Sequence, residues 1–244
     1  MTSRRQRFYR EVSVEAPSRS TKGGFRILLD GKALKTPAGT ILEVPNLALA
    51  EAIAREWSEQ ESTLRPDKMI LTKLANTALD RVLPNPELVT EQLVGFAKSE
   101  PICYRATSPS ELVVRQASIW DPLLEWLRQE CGVDLHTGTE IAFVEQQPEA
   151  IAAIKRALSG RDSFQLSGLF AAAGLLGSIV IALALASKRL SPEDAFNAAQ
   201  LEEIYQSEKW GLDPEIAEKR AAKRVELQEI MRFLELSAKP SGQA

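Results

Sequence analysis

FRILLDGKALKTPAGTILEV, residues 25–44, sets the fold class of its chain. Phe25 to Leu29 is an apolar run that stops directly at Asp30-Gly31. Asp-Gly between two apolar runs is a strong hairpin signal, because both turn positions want a positive φ. Ala33 and Leu34 begin the return strand, Pro37-Ala38-Gly39 makes a second turn, and Ile41 to Val44 forms a third short strand. Gly23-Gly24 marks the loop before them. Further upstream, Phe8, Arg10, Val12 and Val14 alternate with Tyr9, Glu11, Ser13 and Glu15. That period of two reads as a half-buried strand. It outweighs the transit-peptide reading suggested by four arginines among the first ten residues. The segment is thus a small antiparallel sheet of three or four strands.

After Pro45 the period becomes helical. Leu47, Ala50, Ile53, Ala54 and Trp57 share one face. A second helix is expected from Lys68 to Val82, with Leu71, Leu74, Ala75, Ala78, Leu79 and Val82 inward. Asn85-Pro86 opens a third. Ile102-Cys103-Tyr104 reads as a short strand or extended linker. Ser108-Pro109-Ser110-Glu111 has the form of a capping box. The helix it opens meets Asp121-Pro122, which either kinks it or caps a new one. Strand-like pieces recur only around Thr137-Gly138, between Leu135 and Val144. From Gln147 to Leu236 the chain is helical, with N-terminal signals at Ser191-Pro192-Glu193-Asp194 and Asp213-Pro214-Glu215. Leu227, Ile230, Met231 and Leu234 supply the inner face of the last helix. The expected class is α+β. A small N-terminal antiparallel β-rich domain (residues 1–75, sheet plus helix) precedes a larger all-helical domain (76–236) and a frayed tail (237–244).

Residues 163–187, SFQLSGLFAAAGLLGSIVIALALAS, carry no charge. Their length suits a membrane span. Ala, Gly and Ser fill much of the segment, however, and it lacks aromatic belts and flanking basic clusters. A helix apolar on all sides equally suits the centre of a bundle, and a buried helix is the expectation. The whole chain has 244 residues, 44% hydrophobic and 26% charged, with a net charge of −3. At that length roughly 70% of the unfolded surface is buried, enough for a core without staples. The balance argues against a general nucleic-acid binder, which needs a basic footprint. Two cysteines are too few for a disulfide scaffold.

Catalytic templates fail in turn. There is no P-loop, and Gly168, Gly174 and Gly177 have neither the spacing nor the setting of a dinucleotide loop. Cys103, Cys131 and His136 are too few and scattered for zinc. A Cys131–His136 nucleophile–base pair is conceivable but commonplace in form. Asp80-Arg81 reads as a surface or inter-helix ion pair. No catalytic residue, metal or cofactor is expected.

Charge distribution is more informative. Up to Lys35 there are nine basic residues against three acids. From Glu193 to Glu218 there are eight acids and a single base, Lys209. The acids include Glu202, Glu203, Glu208 and Asp213, and they surround Trp210-Gly211. One reading is a solvated helix surface with favourable helix N-termini. The sharper one is a docking face, with charge steering association and an aromatic as anchor.

The chain resembles a known family. The matching pieces are RFYREVSV, LLDGKALKTPAG, LAEAIAREW, LTKLANTALDRV, CYRA, LVVRQASIWDPLLEW, EEIYQSEKWGLDPE and AAKRVE, in that order. Together they resemble the assembly chaperone of the ATP synthase catalytic head, found in mitochondria and alphaproteobacteria. The resemblance implies an N-terminal α+β domain, a C-terminal helical domain and no enzymatic activity. It also implies a partner, the isolated alpha subunit of the F(1) sector. The family's functional acidic residue before a Trp-Gly pair falls at Glu208, with Trp210, Gly211 and Asp213 in the same motif. Tyr205 stands where the family often has Trp. Asn76, Asp80, Arg115 and Trp120 read as mainly structural, holding helices together across the domain junction. Glu202 and Glu203 complete the expected partner-binding set. The expected protein is a monomer when free, with no nucleic acid and no stable membrane insertion. Its expected place is a bacterial cytoplasm, with the mitochondrial matrix as the eukaryotic equivalent. A ligand-binding protein or enzyme with a site between the two domains is the alternative.

Overall fold

A computed structural model of the chain describes residues 6–17, 23–139 and 143–238. Two compact units emerge. The first holds the described residues up to Pro86, with Asp162–Gly168 and the stretch from Arg232; the second holds Glu87–Arg161 and Leu169–Met231.

In the first unit, strands β1 (Val12–Glu15), β2 (Phe25–Leu29), β3 (Lys32–Ala33) and β4 (Glu43–Val44) form one antiparallel sheet. β2 is central: Val14 pairs with Ile27, Leu28 with Ala33 and Phe25 with Val44. The hairpin forms at Asp30-Gly31 as the sequence predicts, with φ of 48° and 75°. Asp30 has a second role. Its carboxylate accepts the N–H groups of Arg10 and Glu11 at 3.0 and 2.8 Å, fastening the chain before β1 to the turn.

α1 (Leu47–Ser58) packs on the sheet, and α2 (Ile70–Thr77) packs on α1. Asn46 caps α1 through the Leu49 N–H at 3.0 Å. The Glu56 carboxylate of α1 accepts the N–H groups of Leu71 and Thr72, satisfying donors that the start of α2 leaves open. The core gathers Ile27, Leu42, Leu49, Ile53 and Leu71, all fully buried. Inner-face expectations need two corrections. Leu47 is the first helical residue and stays exposed, and Leu49 and Ala52 turn inward instead. Phe8 is exposed while Tyr9 is buried, its hydroxyl donating to the Trp57 carbonyl at 2.7 Å. Regular pairing begins only at Val12, so the alternation does not extend back to Phe8.

α2 ends in a π-turn over Ala78–Val82. It aims Asp80 back at the sheet's second turn, where it accepts from the Thr36 hydroxyl (2.6 Å) and the Ala38 N–H (3.0 Å). The later segments of this unit close on the same core. Phe164 stacks on Phe233, the Ser167 hydroxyl donates to the Leu74 carbonyl, and Asn46 donates to the Leu236 carbonyl. Gly168 lies where a Cβ would come within 3 Å of Leu234.

The remaining helices are α3 (Pro86–Lys98), α4 (Ser110–Cys131), α5 (Pro148–Leu158), α6 (Ser163–Leu176), α7 (Ile179–Ala186), α8 (Pro192–Ala199), α9 (Leu201–Trp210) and α10 (Pro214–Ser237). α6 begins in the first unit and α10 ends in it. α4 runs unbroken through Asp121-Pro122, so neither a new cap nor a second helix forms there. Its N-cap is Pro109, with no side-chain cap, so the capping box is not made. Ile102 and Cys103 lie in a 3-10 turn, and Tyr104 bridges to Gly138. The expected strand-like stretch from Leu135 to Val144 falls partly outside the described residues.

Residues 163–187 form two helices and not one. Gly177 takes a φ of 71°, which ends α6, and Ser178 caps α7 through the Ile181 N–H at 3.0 Å. α7 is buried from Ile179 to Leu185 and packs on α4 and α8. Among the described residues no helix is long and apolar enough to cross a membrane. The small antiparallel sheet followed by helices is the α+β arrangement expected from the sequence.

Candidate functional site

The residues singled out around Trp210 lie on α9, on the turn after it and at the start of α10. α9 presents two different faces.

The first face meets α4. Arg115 Nη1 lies 3.0 and 2.9 Å from the two carboxylate oxygens of Glu208. Lys209 Nζ pairs with Glu111 at 2.7 Å, one turn earlier on α4. Tyr205 sits between the pairs. Its ring is 5.4 Å from the Arg115 guanidinium and 5.3 Å from the Lys209 ammonium, close enough for cation–π attraction. Gln116 donates to Glu202 at 2.6 Å and accepts the Ala106 N–H at 2.8 Å. Trp120 donates its indole N–H to the Ala198 carbonyl at 2.9 Å, just before α9. The hydrogen bond from Arg115 holds the Glu208 carboxyl below its ordinary pKa, and that from Lys209 does the same for Glu111. Both carboxylates remain about half exposed, so screening keeps each pair weak and the set acts as a positioning lattice.

The second face lines an open groove of about 600 Å³ between α9 and α10. Glu203, Ser207 and Trp210 supply the α9 wall, and Ile216, Arg220 and Lys223 the α10 wall. Trp210 is 79% exposed, with Leu212 and Ile216 exposed beside it. Exposed apolar patches rimmed by polar residues are common at association surfaces. Gly211 makes the geometry possible. It ends α9 with a φ of 89°, which L side chains rarely adopt, and its N–H donates to the Ser207 carbonyl. Asp213 accepts the Glu215 N–H at 2.7 Å and so starts α10. Glu215 and Lys219 form the expected i,i+4 pair at 2.7 Å.

Thus Glu202 and Glu208 lie toward α4, Glu203, Trp210 and Gly211 line the groove, and Asp213 caps α10. The groove's cations carry no local signal in the sequence, because they sit in a helix rich in Ala, Lys, Arg and Glu. Arg115 reads from the sequence as a structural residue across the domain junction; it pairs with Glu208 inside the second unit, and its four-residue spacing puts it on the same face of α4 as Glu111.

Elsewhere the chemistry is sparse. Burial pushes the Cys103 thiol up to about 12 and also raises that of Cys131, the opposite of an activated nucleophile. Among the described residues no cluster of His, Cys, Asp and Glu is arranged to hold a metal.

Residues 6–128 match the family model described as ATP12 chaperone protein. The mitochondrial protein atp12 of Schizosaccharomyces pombe is 28% identical over 218 residues, covering 84% of this chain and 74% of that protein. The crystal structure of Atp12 from Paracoccus denitrificans superposes with a TM-score of 0.88 at 31% identity, over 96% of this chain and 98% of that one. A mutant of the same protein gives the same figures. The Atu1473 protein of Agrobacterium tumefaciens superposes with a TM-score of 0.88 at 37% identity, over 94% of this chain and 85% of that one.

Proposed function

The chain belongs to the ATP12 chaperone family, and we propose that it is an assembly chaperone for the ATP synthase catalytic head that binds the isolated alpha subunit. The observation that supports this reading is Trp210, a large aromatic held 79% exposed at the end of a helix whose other face is braced by ion pairs. A monomeric protein pays for such exposure in solubility unless a partner covers it.

An isolated alpha subunit exposes surfaces that are buried only in the assembled ring. A chaperone covering one of them keeps it soluble until the proper neighbour displaces it. The sequence carries no nucleotide-binding motif, so release proceeds by competition from that neighbour and without ATP hydrolysis by this chain. In this scheme Trp210, Gly211 and Glu203 make contact, Asp213 sets the start of α10, and Glu202 and Glu208 hold α9 in place while offering charge at its edge. An interface of standard size, roughly 1,600 Å² in total, is expected.

Light scattering by the alpha subunit alone, diluted from denaturant, tests the proposal. Wild-type chain in stoichiometric amount is expected to suppress scattering, and Trp210→Ala to lose most of that suppression. Equal protection by both proteins would remove Trp210 from the interface.

One observation favours a second reading, a ligand-binding protein. The first unit contains a cleft of about 1090 Å³ that Trp57, Asn76, Lys35 and Arg65 help to line. Among the described residues, the Trp57 indole nitrogen and the Asn76 side-chain oxygen have no hydrogen-bond partner. Native mass spectrometry of the purified chain would reveal a retained small molecule, and a spectrum at the bare protein mass would count against that reading.

A further inference from the structure

The acidic stretch that suggests a negative docking face is largely satisfied within the chain. Glu193 pairs with Arg224, Glu202 bonds Gln116, Glu208 pairs with Arg115 and Glu215 pairs with Lys219. The groove beside Trp210 has the opposite balance. Lys219, Arg220 and Lys223 line it from α10, against a single carboxylate, Glu203, from α9. Lys219 is engaged with Glu215, while Arg220 and Lys223 have no ion-pair partner among the described residues. Their spacing with Ile216, three to four residues apart, keeps apolar and cationic groups on one face of α10. The α9 wall from Gln200 to Trp210 is about 16 Å long at 1.5 Å per residue, the length of a three-turn helix.

We infer that this groove receives an acidic amphipathic helix of about three turns from the client protein. Its apolar face packs on Trp210 and Ile216, and its carboxylates pair with Arg220 and Lys223. An amphipathic helix laid into a two-helix groove is a recurrent recognition mode. Charge complementarity selects the acidic occupant over a basic one. This rests on the chaperone reading above and specifies the chemistry of the segment that is bound.

The test uses the full chain and two fluorescent 14-residue peptides, with leucine on one helical face and either glutamate or lysine on the other. Anisotropy should show the glutamate peptide binding at least tenfold more tightly than the lysine peptide, and more weakly as salt is raised. Arg220→Glu/Lys223→Glu and Trp210→Ala should each weaken it at least tenfold, with unchanged circular dichroism. Arg220→Ala/Lys223→Ala, a milder change, should give a smaller loss in the same direction. Equal affinity for both peptides, binding of neither, or indifference to the α10 variants would overturn the inference. So would sedimentation of the chain alone as a dimer that Trp210→Ala dissociates, since the groove would then belong to a second copy. Capture of the alpha subunit, measured separately, decides the chaperone reading. Capture that survives Arg220→Glu/Lys223→Glu would sink the groove and leave the chaperone intact.

Discussion

Glu208 and Glu100 show two ways a carboxylate is used in this fold. Glu208 is surface-placed and paired, and Arg115 lowers its pKa, as Lys209 lowers that of Glu111. A depressed folded-state pKa stabilises above the unfolded value and is lost as pH falls through the folded one. Acid titration below the ordinary carboxylate value of 4.5 should therefore loosen α9 from α4. Glu111→Gln/Glu208→Gln is expected to flatten that acid limb of thermal stability, and an unchanged limb would mean the pairs contribute nothing. Glu100 is fully buried, and its carboxylate accepts the Ile179 and Val180 N–H groups at 3.0 and 3.3 Å, capping α7. Burial pushes its pKa up to about 7, against the opposing pull of Ser178 and those N–H groups. The sign is now reversed. Stability is full below the unfolded value and declines as pH rises through about 7, by on the order of 3 kcal/mol. Glu100→Gln should remove most of that slope between pH 4.5 and about 7 in denaturant titrations, and an undiminished slope would place its origin elsewhere. Sequence reading found Glu208 because it stands beside an aromatic in an acidic run. It passed over Glu100, because burial of a lone carboxylate leaves no local signature.

Among the elements, those specified by their own residues were legible and those specified by distant partners were not. The Asp30-Gly31 hairpin, the Asn85-Pro86 start of α3, the Ser191 cap of α8 and the Asp213 start of α10 follow from local chemistry, and each forms as expected. The full inner face of α1 did not, because the sheet beneath it chose Leu49 and Ala52 over Leu47, although Ala50 and Ile53 are buried as expected. Nor did the continuity of α4, where packing against α7 and α9 outweighs the missing N–H of Pro122. The break at Gly177 was concealed by a uniformly apolar stretch with no periodicity to interrupt. A Cβ added at Gly177 would meet no atom within 4 Å, so Gly177→Ala should cost about 1 kcal/mol through backbone strain alone, without a clash. Chemical denaturation measures that cost, and a neutral or stabilising result would mean the turn tolerates an L side chain at φ 71°.

At the scale of the whole molecule, the sheet-then-helices order was readable from the switch in hydrophobic period after Pro45. The candidate site was readable only in part. Its acids and Trp210 were visible as a motif, whereas the division of α9 into a braced face and a groove face depends on where α4 and α10 lie, which no local pattern encodes. The proposed function rests on family membership together with that exposed groove. The most direct measurement is co-expression of the tagged chain with the ATP synthase alpha subunit alone and, in parallel, with the beta subunit alone. The account predicts soluble co-purification of alpha and not of beta. Capture of beta alone, or of neither, would contradict it.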